Sequence, residues 1–324
     1  MRLRAKMKKW ILGQMAFAAI CLLACEETSQ APEVESSSTS VSSSSFSSEV
    51  DLSSSEESSD ANSSSSGVNV VSSSSYSVLE SGKYYNPNIS YGELVDERDG
   101  QVYRTVAIGS EDSAQIWMAE NLNFDYDVQT ASGKPTSFCY QDSVEYCAKL
   151  GRYYTWAAAM DTAALFSEDG KECGLESKEC APKDTVRGVC PKGWHLPSSQ
   201  EFHRLTAYAY SNASYVESWQ TGRLLKSKVG WKSTYYQAYD KTIERNGYDP
   251  FGFGAIPAGG CVPECQNIGF SAFFWTSTKG TLTPERNAFR VALYNYHDWF
   301  DEAWVFDYFA DNYAHSVRCV KDAD

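Results

Sequence analysis

The pattern of apolar and polar positions divides the chain into three stretches. Trp10 to Ala24 is an almost unbroken apolar run behind Arg2, Arg4, Lys6, Lys8 and Lys9. A basic head and a run too short for a comfortable membrane span form the two parts of a secretory signal. From Glu26 to Gly82 there is no period at all, only serine runs, scattered acids and a few isolated apolar residues. From Lys83 the pattern becomes that of a folded domain. The turn signal Asp96 to Gly100 precedes Gln101 to Ile108, where Val102, Arg104, Val106 and Ile108 alternate in part with Tyr103, Thr105 and Ala107 as on a strand. Gln115 to Met118 reads as its hairpin partner. Thr155 caps a helix opening at Trp156 on an alanine run. Ser198 and Glu201 have capping-box spacing, and Phe202, Leu205 and Ala209 follow on one helical face. A shorter helix is expected over Thr221 to Ser227. Asn246-Gly247 and the glycine-rich Phe251 to Gly260 mark bends. Late strands are expected at Phe273 to Ser277, Ala288 to Tyr294, Trp304 to Tyr308 and Ser316 to Val320.

Charge sharpens this division. The 324 residues carry a formal charge of −14, which disfavours a nucleic-acid partner because phosphate binding needs a basic face. The signal holds +5 and the serine-rich stretch −10 with no Lys or Arg, so the domain itself carries −9. Residues 26–82 therefore cannot neutralise their acids locally or bury a core that offsets chain entropy, and we read them as a disordered tether. As a flexible coil it spans roughly 40 Å, and more with self-repulsion. Leu22-Leu23-Ala24-Cys25 resembles the bacterial lipobox, which implies that residues 1–25 end in a lipid-modified Cys25 and that the chain is tied to a membrane by its N-terminus. An ordinary cleaved signal is the alternative. Glu26 rather than Asp after the cysteine implies, by analogy with enteric bacteria, an outer-membrane destination.

Cysteine usage changes the picture again. Without Cys21 and Cys25, eight cysteines remain, an even number that in an exported domain suggests four disulfides. Three pairs are close in sequence, Cys139 with Cys147, Cys173 with Cys180 and Cys261 with Cys265, leaving Cys190 for Cys319. That set is one of many connectivities. Zinc at Cys261 and Cys265 is the competing idea, but no second Cys or His pair has ligand spacing.

Several segments carry a resemblance. Asp99 to Arg104, Trp117 to Leu122, Gly151 to Met160, Gly188 to Ser198, Asn246 to Phe253 and Ser316 to Val320 together resemble the Fibrobacter succinogenes major paralogous domain, over roughly Glu93 to Asp324. The resemblance implies a secreted or lipid-anchored protein of unknown molecular function. A looser similarity, in Thr155 to Ala159, His195 to Phe202, Phe274 to Ser277 and the terminal Val-Arg-Cys-Val, is to C-type-lectin-like domains and to the fold of formylglycine-generating enzymes. It implies an α+β domain over residues 83–324, with two helices packed on twisted antiparallel sheets, disulfide-braced and with its ends together.

Candidate chemistry concentrates late in the chain. Tyr294 to Tyr313 interleaves aromatic rings with amides and carboxylates, and in lectin-like folds the last strands and loops form the ligand face. Tyr296, Asp298 and Trp299 are expected in an exposed loop, with Asp301 as a further ligand contact, to stack on and hydrogen-bond a glycan or a surface protein. Trp304 and Phe306 are assigned to packing, as are Trp156, Trp194 and Trp275. Calcium on Asp298, Asp301, Glu302, Asp307 and Asp311 competes with a solvated acidic loop, and the chain lacks the sugar-binding motifs of true C-type lectins. We therefore expect no cofactor. Catalysis finds little support: His195, His203, His297 and His315 sit in no nucleophile motif, and tying Cys319 to Cys190 leaves no free thiolate of the formylglycine-generating type. The sequence thus points to a surface-anchored recognition lipoprotein, with an envelope assembly protein and a formylglycine-generating-type enzyme as alternatives.

Overall fold

The computed structural model describes residues 84–130, 133–174, 180–213, 220–237, 240–262, 264–280, 287–298, 301–306 and 313–323, with backbone alone at Val262, Asn287 and Asp301–Phe306. The signal, Cys25 and the tether lie outside these residues.

The expected hairpin forms. Strands β1 (Gly92–Val95), β2 (Val102–Ile108) and β3 (Gln115–Met118) pair antiparallel in sequence order, with Val106 opposite Trp117. The alternation along β2 was only partial for a physical reason: its two faces pack into different cores. Tyr103 joins the cluster holding Tyr154, Trp156 and Leu196, whereas Val106 and Ile108 join the one holding Trp117, Phe202 and Phe274. The sheet is completed by β15 (Val320–Lys321) and β6 (Trp194–His195) in the order β1-β2-β3-β15-β6, so the first and last strands of the domain share one sheet.

A second sheet has the order β10 (Glu264–Gln266), β9 (Gly260–Val262), β14 (Ala314–His315), β5 (Tyr153–Thr155) and β4 (Ser137–Phe138). The third is the meander β11 (Ser271–Lys279), β12 (Asn287–Tyr294) and β13 (Asp301–Phe306), which begins three residues earlier than the strand expected from Trp304. A small hairpin joins β7 (Thr234–Tyr236) to β8 (Lys241–Ile243). Every strand pair is antiparallel.

Four α-helices occur among the described residues where the lectin-like resemblance implied two: α1 (Val144–Leu150), α2 (Trp156–Ala159), α3 (Ser199–Asn212) and α4 (Thr221–Leu225). Only α3 runs beyond two turns, and it starts at the capping box: Glu201 N–H donates to Ser198 Oγ at 3.3 Å and Ser198 N–H to Glu201 Oε2 at 2.8 Å. Phe202, Leu205 and Ala209 are its buried face. Thr155 caps α2 as expected, accepting from Ala158 N–H. Trp156, Trp194 and Trp275 are all core residues.

Of the strand expected over Ser316 to Val320 only Val320 lies in one: β14 ends at His315 and β15 begins at Val320, because the chain between them crosses from one sheet to another. Ser316 bonds to β11, whereas Val317 and Cys319 carbonyls accept from Leu122 and Met118 N–H groups. At the crossing lies Arg318, fully buried. Its Nε donates to Asn121 Oδ1 at 2.9 Å, and its Nη1 and Nη2 donate to the carbonyls of Phe253 and Gly254, with the guanidinium 4.6 Å from the Phe253 ring. Asn121 in turn donates to Leu150 O and Ser316 Oγ. Arg318 and Asn121 together join segments at 121, 150, 253–254 and 316–318.

The four disulfides are those the spacing suggested: Cys139–Cys147, Cys173–Cys180, Cys190–Cys319 and Cys261–Cys265. The domain is α+β, with few helices, antiparallel sheets and disulfide bracing. No helix among the described residues is long and apolar enough to cross a membrane.

Candidate functional site

The segment Tyr294–Asp298, which leaves the end of β12, is held from beneath by side chains of a distant part of the chain. Lys226, immediately after α4, donates through Nζ to Tyr294 O at 2.6 Å and His297 O at 2.9 Å. Thr234 on β7 donates to Asn295 O, and Tyr236 on the same strand donates to Tyr296 O at 3.0 Å. Arg245, just past β8, adds a second bond to Tyr296 O at 3.2 Å. Four consecutive backbone carbonyls are therefore captured by side chains. Asn295 completes the clamp, donating its N–H to Phe270 O and its amide to Lys232 O.

The electrostatics follow from burial. Lys226 is fully buried and Asp298 is 5% exposed. Asp298 meets Arg245 Nη1 at 3.2 Å, Lys226 Nζ at 3.7 Å and Arg223 Nε at 3.9 Å. Burial lowers the Lys226 ammonium to about 8; Asp298 opposes that shift, and the neighbouring Arg245 and Arg223 reinforce it. A carboxylate surrounded by three cations is an anchor within the fold: Oδ2 accepts from Arg245 Nη1, and Oδ1 has the longer contacts to Lys226 and Arg223.

This corrects the expectation for Asp298, which is an internal tie and not an exposed contact. Tyr296 is displayed as expected, at 53% exposure, with its ring 4.9 Å from that of Tyr294 and 4.6 Å from that of His297. Trp299 lies outside the described residues, and so do Asp307 and Asp311. Asp301 opens β13 opposite Ala292; Glu302, Trp304 and Phe306 follow on the same strand, described in backbone only. Among the described residues, no group of three His, Cys, Asp or Glu side chains forms a metal site. Cys261 and Cys265 are spent on each other in a disulfide, which leaves no thiolate pair for zinc.

The histidines have separate environments. His195 bridges Asp322 at 2.7 Å and Glu201 at 2.9 Å. His315 is buried against Phe273 and Trp275, and that burial pushes its imidazole well below the ordinary range. His297 stacks edge-on beside Tyr294 and Tyr296, and His203 sits on the exposed face of α3.

The model of the Fibrobacter succinogenes major domain matches residues 106–321. The chain belongs to the Fibrobacter succinogenes major domain family. Comparison with curated proteins and with solved structures finds no match. The matched span of this major domain includes the Arg318 crossing, the Cys190–Cys319 bridge and the clamped loop.

Sequence reasoning found Tyr296 and missed what holds it. Lys226 follows two leucines at the end of a helix, and Arg245 stands in a polar turn. Neither position carries a local signal that it reaches residues 51 to 71 positions away.

Proposed function

We propose that this major domain protein is a lipid-anchored, surface-exposed recognition module of C-type-lectin-like fold, whose Tyr294–Asp298 loop binds glycan without a metal cofactor. One observation carries the reading: a surface loop with four successive carbonyls bonded from within is prevented from rearranging, so its exposed ring is presented at little entropic cost on binding. Exposed aromatics gather on the elements that clamp it. Tyr235 adjoins the clamping Tyr236, Phe270 accepts the bond from Asn295, and Tyr248 lies under Arg223, with exposures of 59%, 42% and 46%. Flat rings with polar edges suit stacking on sugar faces. Four disulfides support an oxidising compartment, and the lipobox-like Cys25 with Glu26 supports an outer-membrane anchor.

Polysaccharide pull-down with the full chain tests this. Binding that persists in EDTA and falls about tenfold or more in Tyr296→Ala, with the melting temperature unchanged, is the expected result. Retention on no polysaccharide would overturn the glycan reading and leave a surface protein as the ligand class. Mass spectrometry of the envelope fraction tests the anchor through the acyl mass on Cys25.

A further inference from the structure

Of the four arginines that lie over phenylalanine rings among the described residues, Arg318 and Arg290 differ in one respect. Arg318 over Phe253 has an acceptor for each of its Nε, Nη1 and Nη2 atoms. Arg290 on β12 lies 4.4 Å from the Phe273 ring, yet its Nε and Nη1 are enclosed without any hydrogen-bond partner, and its Nη2 reaches only the Tyr294 hydroxyl at 3.4 Å. Among the described residues no carboxylate forms an ion pair with it. On its other side His315 is buried among rings and offers no negative charge. Among the described residues this guanidinium has one long hydroxyl contact and no anionic partner; an enclosed charge left so is destabilising and calls for an anion from elsewhere.

Its position says where that anion comes from. Arg290 touches Tyr294, whose ring stacks on the exposed Tyr296, so a single tyrosine separates the guanidinium from the displayed ring. We propose that Arg290 recognises a carboxylate carried by the glycan, making the ligand an acidic, uronate-bearing polysaccharide; this rests on the glycan reading of the same loop. The acid meets the planar guanidinium through Nη2, in place of the long Tyr294 contact, because Nε and Nη1 have no open surface. The chain's formal charge of −14 supplies no long-range attraction for a polyanion, so selectivity for the acid reports this local contact.

The test compares the full chain on polygalacturonate and on its methyl-esterified counterpart, both in EDTA to prevent cation bridging. Wild type should bind the acid at least about tenfold more tightly than the ester, and Arg290→Gln should abolish that preference while keeping the weaker ester binding. Because Arg290 has no anionic partner among the described residues, the melting temperature of Arg290→Gln should be unchanged or higher, which separates recognition from folding. Equal wild-type binding to acid and ester, or an unchanged preference in Arg290→Gln, overturns the inference while the glycan reading stands. Failure to bind either polymer or any neutral polysaccharide overturns both.

Discussion

The Arg318 crossing and the clamp under Tyr294–Asp298 use the same chemistry toward opposite ends. At Arg318 one buried cation gathers carbonyls and an amide from segments inside the core, and every partner is itself buried or backbone. At the loop, Lys226 and Arg245 gather carbonyls of a segment whose Tyr296 ring remains in solvent. The first arrangement joins sheets; the second holds a surface still. A buried cation bonded to backbone carbonyls thus serves either cohesion or presentation, depending on whether the captured segment ends inside the core or at its edge.

Perturbing each region in turn sharpens this contrast. The largest loss is expected on opening Cys190–Cys319 in the double serine variant, about 4 to 5 kcal/mol in the loop-entropy model for a separation of 129 residues. Opening Cys261–Cys265, with a separation of 4, should cost about 2 kcal/mol in the same denaturant titration. Arg318→Leu leaves its acceptors unbonded inside the core and should lower global stability by about 4 kcal/mol. Lys226→Met removes the donor from two loop carbonyls, with a smaller expected cost of about 2 kcal/mol. Its signature is local: faster amide exchange over residues 294–298 and lost glycan binding, with the Arg318 region still protected. Uniform loss of protection across both regions would break the distinction drawn between them.

Two titrations, of His195 and of Lys226, act on stability with opposite sign. Burial opposes charge on His195, but the carboxylates of Glu201 and Asp322 outweigh it and raise its pKa above 6.5. Its stabilisation is therefore complete below the unfolded value and is lost as pH rises through the folded one. Lys226 is lowered to about 8 from 10.5, so the unfolded chain binds the proton more tightly between those values and the group's contribution to stability rises with pH across that window. His195→Gln should remove the first slope and Lys226→Met the second, each read from denaturant midpoints against pH. The smallest stability change, within about 0.5 kcal/mol, is expected for the exposed Tyr296→Ala, in which binding should fail while the fold does not change.

Local features of the fold were legible in the chain. Ser198 with Glu201 marked the start of α3 and Thr155 that of α2, alternation located β2, and the expected late strands fell within a few residues of β11 and β12. The loop displaying Tyr296 was found as well, because a dense run of aromatics between two strands is visible without coordinates. Asp298 was misread as exposed because nothing beside it in sequence announces three cations drawn from positions 223, 226 and 245. The crossing at Ser316 to Cys319 was likewise hidden, since Arg318 reads as one more strand residue until Asn121, Phe253 and Gly254 are brought around it.

By itself the sequence pointed to the starts of α2, α3 and α4, the main hairpin and the family, and offered the disulfide set as one of many connectivities; α1 carried no such signal. The tertiary structure alone decided which cation meets which carbonyl, which carboxylate is withdrawn from solvent and which arginine has no anionic partner among the described residues. The physical reason is range. Capping and pleating act between residues a few positions apart and leave a periodic trace, whereas a lysine bonded to a carbonyl 71 residues away leaves none until packing brings the two together.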